Sequence, residues 1–197
     1  MDVEPQKISL TDKLIETRNN NRTVNIVNRG VLETTTWSAI NELADLYATY
    51  FIEKKMTLKT CAMIGKYSKD AFAQYVACLL TGNTVLMLEP DYPNRFNILD
   101  DTKPEIAIID KKYLNGKSFR KFSKPVMKWI SGTLDLSAFK SLKTVYSINS
   151  SNFDVLTADG TETVNLDEAL KNTKPNAEEI HNFAKANVPF DYVSAYT

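Results

Sequence analysis

The chain has 197 residues, enough for one domain with its own core, and its 24 basic and 24 acidic side chains cancel to a formal net charge of zero. That balance gives no global electrostatic argument for nucleic acid or for an anionic membrane. Apolar residues make up 43% and charged residues 24%, an ordinary globular composition, and no apolar run approaches the ~18 residues a membrane span needs.

Met1 to Lys13 has no apolar core and does not read as a secretory signal, so the chain is expected to be cytoplasmic. Ser9 to Arg18 predicts a short helix with Leu10, Leu14 and Ile15 on one side, broken by Asn19, Asn20 and Asn21. Val24 to Val27 reads as a strand, and Asn28-Arg29-Gly30 as a turn before Val31-Leu32. Thr36 to Glu53 predicts a helix. Ile40, Leu43, Ala44, Tyr47, Tyr50 and Phe51 recur at helical spacing, and the Thr36 hydroxyl can cap the first turn. Thr60 to Gly65 is a buried strand.

The most informative stretch is Ser68 to Pro93. Ser68 can accept from the free N–H groups of a helix start, and Asp70 suits its positive end. Ala71 to Leu80 is apolar almost all round, as in a helix buried on most sides. Gly82 ends it, because a residue without a side chain enters the left-handed region cheaply. Thr84 to Leu88 is an apolar strand covered on both faces, stopped by Pro90 and Pro93. A short helix around Asn94 to Asp100 and a third buried strand, Ile106 to Asp110, follow. This alternation predicts an α/β fold: a mainly parallel sheet, right-handed crossovers and helices on both faces. Phe72, Val76, Leu79, Leu86 and Leu88 are expected in its core.

Lys111 to Lys128 holds seven Lys or Arg, no acid, and the aromatics Tyr113, Phe119 and Phe122. Such a segment can bind single-stranded nucleic acid, but a solvated face leading into a strand Val126 to Ile130 fits a neutral chain better. Leu142 to Ile148 reads as a strand, and 149–152 as a polar loop. Asp159-Gly160 reads as a hairpin tip between Phe153–Leu156 and Thr163–Leu166. Leu166 to Leu170 begins a short helix, Asn176 caps a helix Ala177 to Lys185, and Asp191 to Tyr196 reads as a strand.

Candidate chemistry is sparse. Cys61 and Cys78 lie in apolar runs and read as buried, reduced thiols, and His181 is the only histidine, too few ligands for a metal site. Asp100-Asp101 and Glu178-Glu179 are adjacent pairs, which point in different directions on a helix, and read as capping or solvated acids. The six glycines are scattered and form no phosphate cradle. No catalytic residue and no metal ligand is assigned.

The pattern nevertheless resembles a known family. The run Leu79-Leu80-Thr81-Gly82, a strand, then Met87-Leu88-Glu89-Pro90-Asp91-Tyr92-Pro93 is similar to a pattern of the adenylate-forming enzymes, the superfamily of AMP-dependent synthetases and ligases. These include acyl-CoA synthetases, nonribosomal-peptide adenylation domains and luciferases. There the helix ends in Leu-Lys-Ala-Gly and the strand runs into Pro-Leu-Asp-Pro-x-Tyr-Pro. Met87 stands where that family has Pro, and Glu89 where it has Asp. Thr36-Trp37-Ser38-Ala39-Ile40-Asn41-Glu42 resembles its Thr-Tyr-x-Glu-Leu-Asn-Glu helix start, with Ala39 lacking the usual carboxylate.

The resemblance runs from about Ser9 to Thr197 and implies a carboxylate-activating ligase, in which ATP and an acid give an acyl-adenylate that a thiol then takes. In that family a strand ending in Tyr-Thr enters the glycine-rich loop that cradles the ATP phosphates. Tyr196-Thr197 resembles that approach, so Thr197 is placed at the edge of the phosphate loop. The loop itself, the substrate pocket, the ribose-binding Asp and the catalytic Lys have no counterpart in these residues. Residues 1–197 are therefore expected to be the N-terminal part of one AMP-binding domain, cut before its phosphate loop. The chain alone is expected to be inactive and without cofactor; ATP and Mg belong to the complete enzyme, and the remainder of the ligase is the expected partner. The alternatives are a non-enzymatic protein-binding scaffold derived from the fold, or a single-stranded nucleic-acid binder acting through 111–128.

Overall fold

A computed structural model describes residues 10–18, 21–28, 30–65, 67–88, 95–110, 134–149, 155–188 and 195–196. The expected strand 126–130, the basic segment 111–128, the Pro90–Pro93 exit and Thr197 lie outside them, as does 191–194 of the last expected strand. The chain opens with helix α1 (Leu10–Glu16) and an antiparallel hairpin of β1 (Thr23–Asn28) and β2 (Val31–Thr36), which turns at Gly30, where φ is +80°. Helix α2 (Trp37–Glu53) follows directly, its first turn capped by Thr36 Oγ1, which accepts from the Ala39 N–H at 3.2 Å.

The alternating region forms as its residues dictate. Strand β3 (Thr60–Ile64) leads to α3 (Lys69–Leu80), and α3 leads to β4 (Thr84–Leu88). Ser68 Oγ accepts from the Ala71 N–H at 3.1 Å, and Gly82 leaves the helix at φ +68°. Asn83, 1% exposed, anchors the turn. Its Oδ1 accepts from the Lys59 N–H at 2.8 Å, and its Nδ2 donates to the Met56 carbonyl at 2.9 Å. Helix α4 (Arg95–Thr102) runs two residues past the expected Asp100, ending where Lys103 takes φ +47°. It leads to β5 (Ile106–Asp110).

The six-stranded sheet is parallel throughout, in the order β10 (Ala195–Tyr196), β4, β3, β5, β7 (Thr144–Ile148), β9 (Glu162–Asn165). Strand alternation sorts its side chains into two buried clusters. On one face Cys61, Met63, Val85, Ile106, Ile108, Tyr146 and Ile148 meet α2, α3, α5 (Leu166–Leu170) and α6 (Ala177–Asn187). On the other, Ala62, Ile64, Leu86, Leu88, Ala107, Ile109 and Val145 meet Leu99 of α4 and Leu136, Phe139 and Leu142 from the chain before β7. The expected parallel sheet with helices on both faces is the fold. No helix among the described residues is long and apolar enough to cross a membrane.

Two expectations are corrected. Phe153–Leu156 and Thr163–Leu166 do not pair as a hairpin. Strand β8 (Val155–Leu156) instead runs parallel to β6 (Leu134–Asp135) in a separate two-stranded sheet, while β9 runs parallel to β7. Gly160 does turn, at φ +82°, but the turn hands the chain to the open edge of β7, whose N–H and C=O groups need partners. Val164 then packs on the first cluster. Phe72 is half-buried rather than buried: it sits on the rim of α3, edge-on to Trp37 at 5.7 Å. Val76, Leu79, Leu86 and Leu88 are buried as expected.

Candidate functional site

In an open parallel sheet, ligands bind beyond the carboxyl ends of strands whose outgoing connections leave on opposite faces. Strands β3 and β5 are such neighbours. The connection from β3 is α3, on the first face, whereas the chain after β5 returns through Leu136, Phe139 and Leu142 on the second. Their ends approach closely. A Cβ on Gly65, just past β3, would lie 3.2 Å from the Asp110 Cβ at the end of β5, tighter than an ordinary contact. Asp110 is 6% exposed and has a polar partner.

Behind this junction lies a narrow cavity of about 20 Å³, bordered by Gly65, Tyr67, Gln74, Met87, Asp110 and Ile148. That is room for one water molecule. Gln74 is 1% exposed, and its Nε2 donates to the Tyr47 hydroxyl at 3.3 Å, linking α3 to α2. Burial pushes the Tyr47 phenol far above the ordinary tyrosine range, the Gln74 hydrogen bond opposes this, and the carboxylates of Asp70, Asp167 and Asp110 add to the rise. Among the described lining residues the charge here is negative, and the space is too small for a nucleotide. The described residues do not fit a triphosphate, and no chemical step is assigned to them.

The residues singled out in the sequence fall apart in space. Asp100 and Asp101 are exposed on α4. Glu178 and Glu179 are exposed at the start of α6. There Asn176 Oδ1 accepts from the Glu179 N–H at 3.1 Å and caps the helix, and Asn176 Nδ2 donates to the Glu179 carboxylate at 3.2 Å, which holds the cap in place. His181 is partly exposed on α6. Cys61 and Cys78 are free, buried thiols in one cluster. The hydrogen bond with Cys78, which favours the protonated form, then burial, push the Cys61 thiol up, away from the reactive thiolate. No group of three His, Cys, Asp or Glu among the described residues could hold a metal ion. Thr197 is not among the described residues. The strand before it, β10, lies beside β4 with Ala195 opposite Val85 and Tyr196 opposite Leu86, so it points toward the same carboxyl edge.

Sequence reasoning missed the Gln74–Tyr47 pair and the Gly65–Asp110 approach. The available signal for the first was one amide in an otherwise apolar helix face. The second had none, since the two residues are brought together only by strand pairing.

No family model and no curated protein matches the chain. Solved structures do. A long-chain-fatty-acid-CoA ligase from Archaeoglobus fulgidus superposes with a TM-score of 0.55 at 14% identity, covering 98% of this chain and 33% of its own. The anthranilate CoA ligase AuaEII, solved with anthranoyl-AMP, gives 0.54 at 13% identity over 87% and 29%. A red-emitting luciferase from Phrixothrix hirtus gives 0.53 at 16% identity over 96% and 31%. The chain thus spans about a third of the length of these proteins. It carries, over most of its length, the α/β fold found in part of the adenylate-forming ligases.

Proposed function

We propose that residues 1–197 form the N-terminal part of an ATP-dependent carboxylate-activating ligase, which makes an acyl-adenylate and passes the acyl group to a thiol. These residues alone are inactive in this reading. The observation that carries it is the placement of β10 parallel to β4, so that Ala195-Tyr196 ends at the same carboxyl edge of the sheet as Thr84–Leu88. In sequence, these two strands directly precede Glu89 to Pro93 and Thr197, both part of the likeness to the ligases. A phosphate loop entered from Thr197 would lie at that end, supplied by the remainder of the ligase, on the same chain or on a second polypeptide.

Two measurements test this. Calorimetry of the 197-residue chain with Mg-ATP is expected to show no complex at micromolar concentration; a stoichiometric micromolar complex would overturn the inactivity. The coding sequence past the Thr197 codon is expected to continue into Ser-Gly-(Ser or Thr)-Thr-Gly and a long open frame. The extended protein should then catalyse ATP–pyrophosphate exchange with a panel of carboxylic acids. An extended frame without that loop would sink the ligase reading in favour of a binding scaffold.

A further inference from the structure

Gln74 is the one side-chain amide of α3, and it is 1% exposed. An amide offers two N–H donors and an oxygen with two lone pairs. Among the described residues the Gln74 side chain makes one hydrogen bond, from Nε2 to the Tyr47 hydroxyl at 3.3 Å, and its Oε1 accepts none. A buried amide oxygen that has given up water and gained no donor is costly. Oε1 is not sealed among other atoms, as Ser147 Oγ is, because Gln74 borders the cavity behind Gly65.

The size and walls of that cavity select its occupant. A volume of about 20 Å³ admits one water and nothing larger than a water-sized group. Met63, Met87, Ile108 and Ile148 give it apolar walls, and Gln74 and Asp110 are the polar side chains that interrupt them. Purely apolar cavities stay dry, whereas a cavity with polar groups on its wall holds water. In a space one water across, the occupant touches the whole wall and so reaches both polar residues. Asp110 has a polar partner of its own, and a carboxylate with about four lone-pair sites can accept from a further donor. Burial first raises the Tyr47 phenol, and Asp110 is among the carboxylates that add to the rise, so Asp110 lies within electrostatic reach of the Tyr47–Gln74 pair.

We propose that the cavity behind Gly65 is the binding site of one internal water, which donates to Gln74 Oε1 and to the Asp110 carboxylate. The water joins the buried Tyr47–Gln74 pair of α2 and α3 to the end of β5. Asp110 stands at the carboxyl edge where an open parallel sheet takes its ligands, so the water extends a polar chain from that edge into the core. The proposal does not depend on the ligase reading.

The test is NMR on the 197-residue chain labelled with carbon and nitrogen isotopes. A bound water gives nuclear Overhauser and rotating-frame cross-peaks of opposite sign at the water line. Such pairs are expected at the Gln74 side-chain amide and at the methyls of Met63 and Ile108, and their absence would overturn the proposal. Tyr47→Phe removes the hydroxyl that could relay solvent exchange to Gln74. The Met63 and Ile108 cross-peaks should persist in it, and their loss would count against a bound water. Gln74→Met keeps the length of the side chain without its amide. It should lose both methyl cross-peaks and shift the Asp110 carboxyl carbon; surviving cross-peaks or an unmoved Asp110 carbon would rule out the bridge. The cross-peaks of the unaltered chain decide the matter even if a variant fails to fold.

Discussion

The two faces of the central sheet solve the same packing problem with different side chains. Across the first face the strands align Met87, Met63, Ile108, Tyr146 and Val164 in one row. Helix α2 meets this side of the sheet with Tyr47, Tyr50 and Phe51. Tyr50 stands edge-on to Tyr146 at 6.1 Å, and Tyr47 lies 6.4 Å from Phe51. Across the second face the corresponding row is Leu86, Ala62, Ala107 and Val145, met by Leu99, Leu136 and Phe139. Aromatic rings of a long helix cover the larger side chains of the first row, and aliphatic side chains of a short helix and an irregular run, with Phe139, cover the second row with its two central alanines. The Gln74–Tyr47 hydrogen bond lies on the first face.

The contrast can be broken most forcefully at Phe51, 1% exposed on the first face. Phe51→Ala should destabilise by about 3–5 kcal/mol in urea unfolding, through lost transfer energy and the cavity left behind. A loss under 1 kcal/mol would mean that the aromatic layer is loosely packed.

The second face should fail in the opposite direction. Ala107 is 1% exposed and flanked in register by Ala62 and Val145, so Ala107→Leu is expected to cost about 1–3 kcal/mol by overpacking. A neutral or stabilising result would show that this face has room for a larger side chain.

A smaller effect is expected at Tyr47. Tyr47→Phe keeps the ring and removes the acceptor of the Gln74 amide, at a cost of about 1–2 kcal/mol. The same residue predicts a pH dependence. Its pKa is raised in the folded state, so the folded chain holds the proton more tightly than the unfolded one. That stability is fully present below the ordinary tyrosine value of 10.0 and is lost as pH rises above it. Unfolding free energy measured over about one pH unit either side of that value should fall with pH in the parent chain and less steeply in Tyr47→Phe. Equal slopes would remove Tyr47 from the account.

The smallest change sharpens the boundary of the first face. Phe72, half-buried on the rim against Trp37, should lose less on substitution by Ala than Leu79, which is 3% exposed; about 1 kcal/mol for Phe72 against about 2–5 for Leu79 follows from their burial. Parallel denaturation curves of the two variants make the comparison, and equal losses would place Phe72 in the core after all.

What could be read from residue order alone was local. The Thr36 and Ser68 caps, the left-handed Gly82 and the helical spacing from Ile40 to Phe51 depend on groups within a turn or two of one another, and all are present as read. The alternation of helix and strand between Trp37 and Asp110 then left few topologies, and the parallel pairing of β3 with β4 followed from the helical crossover α3 between them. Other features depended on tertiary structure. Gly160 announced a turn but not which edge the next strand would join. That was settled by the unpaired side of β7, far away in sequence. The apolar run of α3 announced burial but not that Phe72 would land on a rim or that Gln74 would find Tyr47. The cavity behind Gly65 draws its walls from several elements at once. Caps and turns are decided by short-range sterics and hydrogen bonds, whereas strand partners, buried polar pairs and cavities are decided by which distant surfaces meet.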